Sequence, residues 1–224
     1  MYDIHCHIVP CVDDGSGSIT DSVEMALLAV KNGTKAIIAT PHCNMPGLFE
    51  RYWSEEYTEK IKKLNAELKK RNIQLTVFPG QEIFAYGDII PRLKNGELIT
   101  LNNSRYVLVE FDFSVSEDQI YPVIGSLVSK DYIPIVAHPE RYSMVYENPK
   151  SVEKMRSFGA LIQVNAGSIV GELGLRSKRA SGFILENCYA DFVASDAHSQ
   201  YYRTTDLSDA HEIVCGYYGY DYAD

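Results

Sequence analysis

Histidines and carboxylates that can bind metal ions recur at the ends of apolar segments. Five of the six histidines and four carboxylates occupy such positions: His5, His7, Asp14, His42, Glu82, Glu110, His138, Asp196 and His198. Alternate residues of an extended segment point the same way, so the His5-x-His7 pair can hold one ion. Imidazole together with carboxylate suits manganese, iron or zinc. Nine candidates are too many for one ion and predict two or three ions that share a bridging carboxylate.

Alternating strands and helices would position these side chains. Apolar and β-branched runs predict seven strands, at residues 2–5, 35–40, 74–79, 106–110, 133–137, 161–164 and 191–194. Amphipathic stretches predict helices at residues 19–32, 54–71, 117–130, 149–158, 176–187 and 204–217. This alternation implies parallel strands with crossover helices, and seven strands favour a closed or nearly closed barrel over a doubly wound open sheet. In a parallel barrel all candidate ligands would meet at one face.

Composition restricts the classes of function. The net charge is -9, from 21 basic and 30 acidic residues, and no basic patch points to nucleic acid. The five cysteines suggest no disulfide framework, which favours a reducing cytoplasm. A cytoplasmic protein without direct membrane insertion is expected, because the chain shows neither a signal peptide nor a long apolar run. Oligomeric state is not predictable from the sequence.

The ordered motifs resemble those of the polymerase and histidinol phosphatase (PHP) superfamily. The phrases that carry the resemblance span nearly the whole chain: Asp3-Ile4-His5-Cys6-His7, Val12-Asp13-Asp14-Gly15, Ala39-Thr40-Pro41-His42, Ala137-His138-Pro139-Glu140-Arg141 and Ser195-Asp196-Ala197-His198. Within the superfamily the sequence is most similar to the manganese-dependent protein-tyrosine phosphatases of bacterial capsule and exopolysaccharide gene clusters. The resemblance implies an α/β fold of the distorted (β/α)7 barrel, PHP type. We expect this domain at residues 1–215, followed by a mobile, tyrosine-rich tail at residues 216–224.

The resemblance also implies three ions with defined ligands. The first ion would be bound by His5, His7, Glu82 and Asp196. The second would be bound by Glu82, Glu110 and His138, so that Glu82 is shared, and the third by Asp14, His42 and His198. The acidic residues Glu110 and Asp14 stand where many members of the superfamily carry histidine. Because carboxylates are harder ligands, manganese is favoured, with iron or zinc as alternatives.

The expected reaction is hydrolysis of phosphotyrosine by a metal-bridged hydroxide. Arg141 follows His138 by three residues and Arg203 follows His198 by five, and both are predicted to bind phosphate through their planar guanidinium groups. A phosphocysteine route is disfavoured, because no cysteine is followed six positions later by arginine.

A phosphotyrosyl protein is the expected substrate. The resemblance implies the C-terminal tail of a bacterial tyrosine autokinase that regulates polysaccharide export. A small-molecule phosphatase such as histidinol-phosphate phosphatase would share the metal site and is the first alternative. A nuclease or polymerase proofreading domain is the second alternative, and the acidic net charge counts against it. A non-catalytic PHP interaction domain is the third.

Aromatic residues cluster after the second predicted strand. They are Phe49, Tyr52, Trp53 and Tyr57. Their loop would lie beside the metal site, so they would either flank a phosphotyrosine ring or anchor the next helix. Anchoring is the favoured interpretation.

Overall fold

The computed structural model describes residues 1–223 and contains nine strands and ten α-helices. The strands are β1 (Tyr2–Cys6), β2 (Ala36–Ala39), β3 (His42–Cys43), β4 (Thr76–Pro79), β5 (Glu82–Phe84), β6 (Tyr106–Glu110), β7 (Ile133–Ala137), β8 (Leu161–Asn165) and β9 (Phe192–Ala194). The helices are α1 (Ile19–Lys31), α2 (Glu55–Lys70), α3 (Ile89–Lys94), α4 (Glu117–Val128), α5 (Ser143–Glu147), α6 (Ser151–Ser157), α7 (Ala166–Val170), α8 (Leu175–Glu186), α9 (Ser208–Tyr218) and α10 (Tyr220–Ala223).

The nine strands follow seven paths around a distorted (β/α)7 barrel, because β2 and β3 share one path and β4 and β5 share another. All pairs are parallel, in the orders β1-β2-β4 and β3-β5-β6-β7-β8-β9. The two sheets are linked because β3 follows directly from β2, and β5 from β4. The last path meets the first: Asp196 N donates to His5 O at 2.8 Å and His7 N donates to Ala197 O at 2.9 Å. The predicted barrel is therefore confirmed, and the open-sheet alternative is not adopted.

Two of the seven paths are interrupted shortly before their carboxyl ends. Pro41 lacks the N–H that a continuous strand would use. Gly80 lies so close to the neighbouring path that a Cβ there would stand 2.7 Å from Ile38 Cγ2. Beyond these interruptions His42 and Glu82 become register partners in β3 and β5. The breaks therefore bring an imidazole and a carboxylate side by side at the barrel mouth.

An apolar layer fills the barrel below this mouth. Leu108, Ile135 and Ala137 are buried together there. Side chains on a strand alternate, so Glu110 shares the face of Leu108 and lies one step nearer the carboxyl end. The polar groups at the mouth are thus backed by hydrocarbon, which strengthens electrostatic interactions between them.

Most predicted helices lie within a few residues of those observed, but the C-terminal segment differs. Helix α9 runs through the expected boundary at residue 215, and Tyr218 and Tyr222 pack against the main core. The Tyr222 hydroxyl also donates to Ala190 O at 3.2 Å. Two tyrosine rings of the expected tail therefore bury apolar surface, and the mobility of the tail stays a prediction. The division into a domain and a tail stays a prediction.

None of the helices between residues 1 and 223 has the length and apolar character that crossing a bilayer requires.

Tyr142 connects the ends of two barrel strands. Its ring is fully buried, and its hydroxyl donates to Ala137 O at 2.8 Å and accepts from Phe111 N at 3.1 Å. We expect Tyr142→Phe to lower the free energy of unfolding by about 1–3 kcal/mol, because both backbone groups lose a partner. Urea denaturation measures the change, with the exposed Tyr217→Phe as control. Equal midpoints for the two variants would contradict this role.

Candidate metal centre

The nine predicted ligand side chains lie together at the carboxyl ends of the barrel strands. Eight of them form three groups, in each of which one ligand atom per residue lies within 4.8 Å of the others: His7, Asp14, His42 and His198; His5, His7, Glu82 and Asp196; and His42, Glu82 and Glu110. His138, the ninth, lies with its Nε2 2.9 Å from Glu82 Oε1 and 3.6 Å from Glu110 Oε1. Every residue that the sequence singled out as a ligand is therefore present at one site.

His42 has a more central position than the implied ligand sets suggest. Its Nδ1 lies 2.9 Å from Glu82 Oε2 and 3.5 Å from Glu110 Oε2. Its Nε2 faces Asp14 Oδ1 at 3.7 Å. The two nitrogens of His42 thus face two different groups. Asp14 is the outermost member, with about half of its side chain exposed.

Hydrogen bonds behind three histidines determine which ring nitrogen faces the centre. His5 Nδ1 lies 2.8 Å from Gln163 Oε1, and His7 Nδ1 lies 2.6 Å from Asp13 Oδ2. His198 Nδ1 lies 3.0 Å from the carbonyl oxygen of Asp196. All three oxygens only accept, so each Nδ1 donates its proton. In the neutral rings Nε2 is left with a free lone pair, as in metal-binding histidines supported by a hydrogen bond.

Four acceptors converge in the group around Asp196. His5 Nε2 and His7 Nε2 are 3.3 Å apart. Both nitrogens lie within 3.4 Å of Glu82 Oε2 and of Asp196 Oδ1. Lone pairs this close repel one another unless protons or a cation lie between them. A divalent cation would satisfy all four atoms at once, so the donor set fits a metal.

Buried atoms that lack a hydrogen bond are concentrated in the same groups. Within residues 1–223 they include His42 Nδ1, Glu82 Oε2, Glu110 Oε2, Asp196 Oδ1 and His198 Nε2. Buried polar atoms are nearly always hydrogen-bonded in folded proteins. These exceptions all face one centre, and a divalent cation suits them as a shared partner.

Burial and neighbouring charges move the pKa values of the site in different directions. Burial, reinforced by the charge of Glu82, raises the pKa of Glu110 to about 8. Burial also acts to raise the pKa of Glu82, but His5 and His42 outweigh it and hold that pKa well below its usual range. Burial lowers the pKa of His138 to about 4, so its imidazole is neutral and able to bind metal. A bound cation would also bring Glu110 into its carboxylate form.

Two predicted ligands adopt the left-handed backbone conformation, which is uncommon for residues other than glycine. His138 has φ 35° and Asp196 has φ 51°. Left-handed geometry costs free energy at a residue other than glycine, so the surrounding structure must hold it in place. The turn at Asp196 is held by Asp3, whose Oδ2 accepts from Ser195 Oγ at 2.6 Å. Asp3 therefore ties the first barrel strand to the turn that carries Asp196.

Two arginines stand at the edge of the centre. Arg203 forms an ion pair with Asp196 Oδ2, and Arg141 Nη1 lies 3.4 Å from the same oxygen. The Arg141 guanidinium also stacks 4.5 Å above the Phe113 ring. About one-fifth of each arginine side chain is exposed. Both cations are therefore accessible from the mouth while held beside a ligand group.

Several residues support the ligands although no such role was predicted for them from the sequence. Asn165 Nδ2 donates to Asp196 Oδ2 at 2.6 Å, and Gln163 Nε2 donates to Asn165 Oδ1 at 2.8 Å. The buried Glu140 accepts from Asn165 N at 2.9 Å. Gln163 and Asn165 occupy alternate positions of β8, and two polar residues on one face of a buried strand were a signal that could have identified them. The role of Asp13 was not predicted, because Asp13 and Asp14 are adjacent and their distance in sequence from the other motifs is nearly the same.

Gln163 provides a test of this support. We expect Gln163→Leu to lower the affinity of the site for Mn²⁺ by about 10–100-fold, because His5 loses the acceptor that orients its ring. Calorimetric titration of the metal-free protein measures the change. Gln74→Leu, at an exposed position, is the matched control. Equal affinities in the two variants would remove Gln163 from the site.

Comparison with known proteins identifies the family. A family model described as "Capsular polysaccharide synthesis, CpsB/CapC" matches residues 1–224. The chain belongs to the CpsB/CapC family. Two relatives are the tyrosine-protein phosphatases YwqE of Bacillus subtilis and CpsB of Streptococcus pneumoniae. YwqE is 41% identical over 199 residues, which cover 89% of this chain and 78% of YwqE. CpsB is 31% identical over 224 residues, which cover 98% of this chain and 91% of CpsB.

Solved structures agree with this membership. The crystal structures of YwqE and CpsB, described as unique metal-dependent tyrosine phosphatases, include a chain that matches this CpsB/CapC family member with a TM-score of 0.91 and 37% identity. The match covers 100% of this chain and 90% of the other. Histidinol phosphate phosphatase from Lactococcus lactis matches with a TM-score of 0.59 and 13% identity over 96% of this chain and 92% of that one, which shows a shared fold alone.

Proposed function

We propose that this CpsB/CapC family member is a metal-dependent protein-tyrosine phosphatase. The observation that carries the proposal is the convergence of His5, His7, Glu82 and Asp196 as four acceptors, with two arginines beside them. An acceptor cluster suits divalent cations, and adjacent guanidinium groups suit the oxygens of a phosphate. Tyrosine phosphatase relatives at 31–41% identity support the same reaction.

The nine predicted ligands are proposed to hold two or three ions, with Glu82 shared between neighbouring ions. Manganese is the proposed metal because carboxylates form a large part of the donor set, and iron or zinc would fit the imidazoles. Ions bound there would supply a nucleophile from water at neutral pH and neutralise charge on the phosphate.

The residues beside the ligands have separate roles in the proposed reaction. Arg141 and Arg203 bind the non-bridging phosphate oxygens and stabilise the charge that develops during transfer. Gln163 and Asp13 hold the rings of His5 and His7 with Nε2 toward the centre. A tyrosine phenolate, whose conjugate acid has a pKa of about 10, leaves with less protonation than an alkoxide requires.

The substrate is proposed to be a phosphotyrosine in a protein partner. The C-terminal tail of a bacterial tyrosine kinase that controls polysaccharide export is the proposed partner, and the cytoplasm is the proposed location. Arg141 and Arg203 support this proposal because both are partly exposed and therefore accessible to a phosphate carried on a protein. The family description, which refers to capsular polysaccharide synthesis, supports that context.

A side-by-side assay tests the proposed function. The protein loaded with Mn²⁺ is given a phosphotyrosyl peptide, the matching phosphoseryl peptide and histidinol phosphate, and phosphate release is measured with and without a chelator. We expect the phosphotyrosyl peptide to be preferred and the chelator to stop its hydrolysis. Preference for histidinol phosphate would assign the site to a small-molecule phosphatase. Bound metal without turnover of any substrate would favour a non-catalytic domain.

A further inference from the structure

Two phenylalanine rings, Phe49 and Phe113, lie on the metal centre instead of in the apolar core. Within residues 1–223, neither ring belongs to any of the three apolar clusters. Trp53 and Tyr57, from the same segment as Phe49, stack on each other at 5.5 Å and pack into the core. Trp53 and Tyr57 thus anchor the start of α2, which is the interpretation that the sequence favours. Phe49 instead lies at the metal centre.

Each phenylalanine contacts a histidine that lies beside Glu82. Phe49 stacks on His42, with ring centroids 5.2 Å apart and planes 15° apart. Phe113 meets His138 edge to face, with centroids 6.2 Å apart. His42 and His138 approach different oxygens of the Glu82 carboxylate, each at 2.9 Å. The two rings therefore flank the part of the centre that Glu82 occupies.

Hydrogen bonds hold the backbone of both residues in place. Met45 and Phe49 exchange two backbone hydrogen bonds, of 3.0 and 2.9 Å, which close a tight loop. The carbonyl oxygen of Phe113 accepts from Ser143 N at 2.7 Å, and its ring face carries the Arg141 guanidinium. Phe113 is nevertheless 42% exposed. Apolar surface held rigidly in water beside a polar centre is a feature of binding sites.

We infer that Phe49 and Phe113 form a slot for the phenyl ring of the substrate and so select aryl over alkyl phosphate monoesters. This inference rests on the proposed function and adds a reason for its substrate class. Arg141, on the face of Phe113, binds the phosphate while the slot contacts the attached ring. Aromatic rings pair favourably when their centroids are about 4.5–7 Å apart, and an alkyl phosphate has no ring to pair.

Binding of two phosphonates tests the slot without relying on turnover. Benzylphosphonate and methylphosphonate carry the same charged group and differ by the ring. Calorimetry measures their affinities for the Mn²⁺-loaded protein and its Phe49→Leu and Phe113→Leu variants. We expect each variant to bind benzylphosphonate about three- to tenfold more weakly, with methylphosphonate affinity unchanged. The control is Phe158→Leu, whose ring is 43% exposed and stacks on Tyr121.

The outcomes separate this inference from the proposed function. Equal losses for both phosphonates would overturn the slot, because the rings would then act only by holding His42 and Arg141. Unchanged benzylphosphonate affinity in both variants would also overturn it. Ring-dependent binding in a wild-type protein that hydrolyses no phosphotyrosyl peptide would support the slot and contradict the phosphatase. Hydrolysis with ring-independent binding would contradict the slot alone.

Discussion

Replacing Glu82 by glutamine is expected to lower kcat on a phosphotyrosyl peptide by about a thousandfold or more. Glu82 is fully buried and its two oxygens approach four of the predicted histidine ligands, His5, His7, His42 and His138. An amide has almost the same shape but lacks the negative charge and one acceptor. The amide would therefore hold cations more weakly than the carboxylate, and at least one ion should be lost.

Metal content and turnover must be measured together for this variant. Plasma mass spectrometry of the purified protein gives the number of ions, and phosphate release gives kcat. Glu212→Gln, at an exposed position of α9, makes the same chemical change away from the site and should retain both. Full metal content with near-normal turnover in Glu82→Gln would exclude Glu82 as a shared ligand.

Replacing Arg203 by alanine is expected to lower kcat/KM on phosphotyrosine by about a hundredfold or more, with no loss of metal. Arg203 pairs with Asp196 and is held at the mouth. Burial acts to raise the pKa of Asp196, whereas His5 and His7 lower it and Arg203 adds to their effect. The net result is that the pKa of Asp196 lies well below its usual range. Replacing Arg203 by alanine keeps the Asp196 carboxylate available to bind a metal ion. It removes one of the two guanidinium groups that would bind the phosphate.

Two further variants define the role of Arg203. Arg203→Lys retains the charge but not the planar fork, and should fall between the wild type and the alanine variant. Arg179→Ala, at an exposed position of α8, is the control for loss of a positive charge. Loss of bound metal in Arg203→Ala would show that the arginine organises the ligands instead of binding phosphate.

The sequence predicted the barrel and the location of the centre because both depend on local patterns. The strand of residues 106–110 has the predicted bounds. Side chains alternate along a strand, so spacing alone predicts that Glu110 and the buried Leu108 share one face. The helix at 55–70 was recognised from apolar residues at helical spacing, and Tyr57, Ile61, Leu64 and Leu68 are indeed its buried face.

Features that depend on contacts between distant segments were not predictable. Gln163 supports His5 from 158 positions away, and no short-range pattern connects them. Phe49 and Trp53 lie four residues apart in one aromatic segment, yet one contacts His42 and the other joins the core. The packing of Tyr222 near Ala190 depends on where α9 lies beside α7 and α8. Contacts of this kind are determined by the tertiary structure, which composition and periodicity do not describe.

The most direct test of the central claim is a metal titration of activity. Metal-free protein is titrated with Mn²⁺ while bound equivalents and hydrolysis of a phosphotyrosyl peptide are followed together. We predict that hydrolysis is absent in the metal-free protein and rises as the second or third equivalent binds. Undiminished hydrolysis by protein shown to contain no metal would contradict the account of this site.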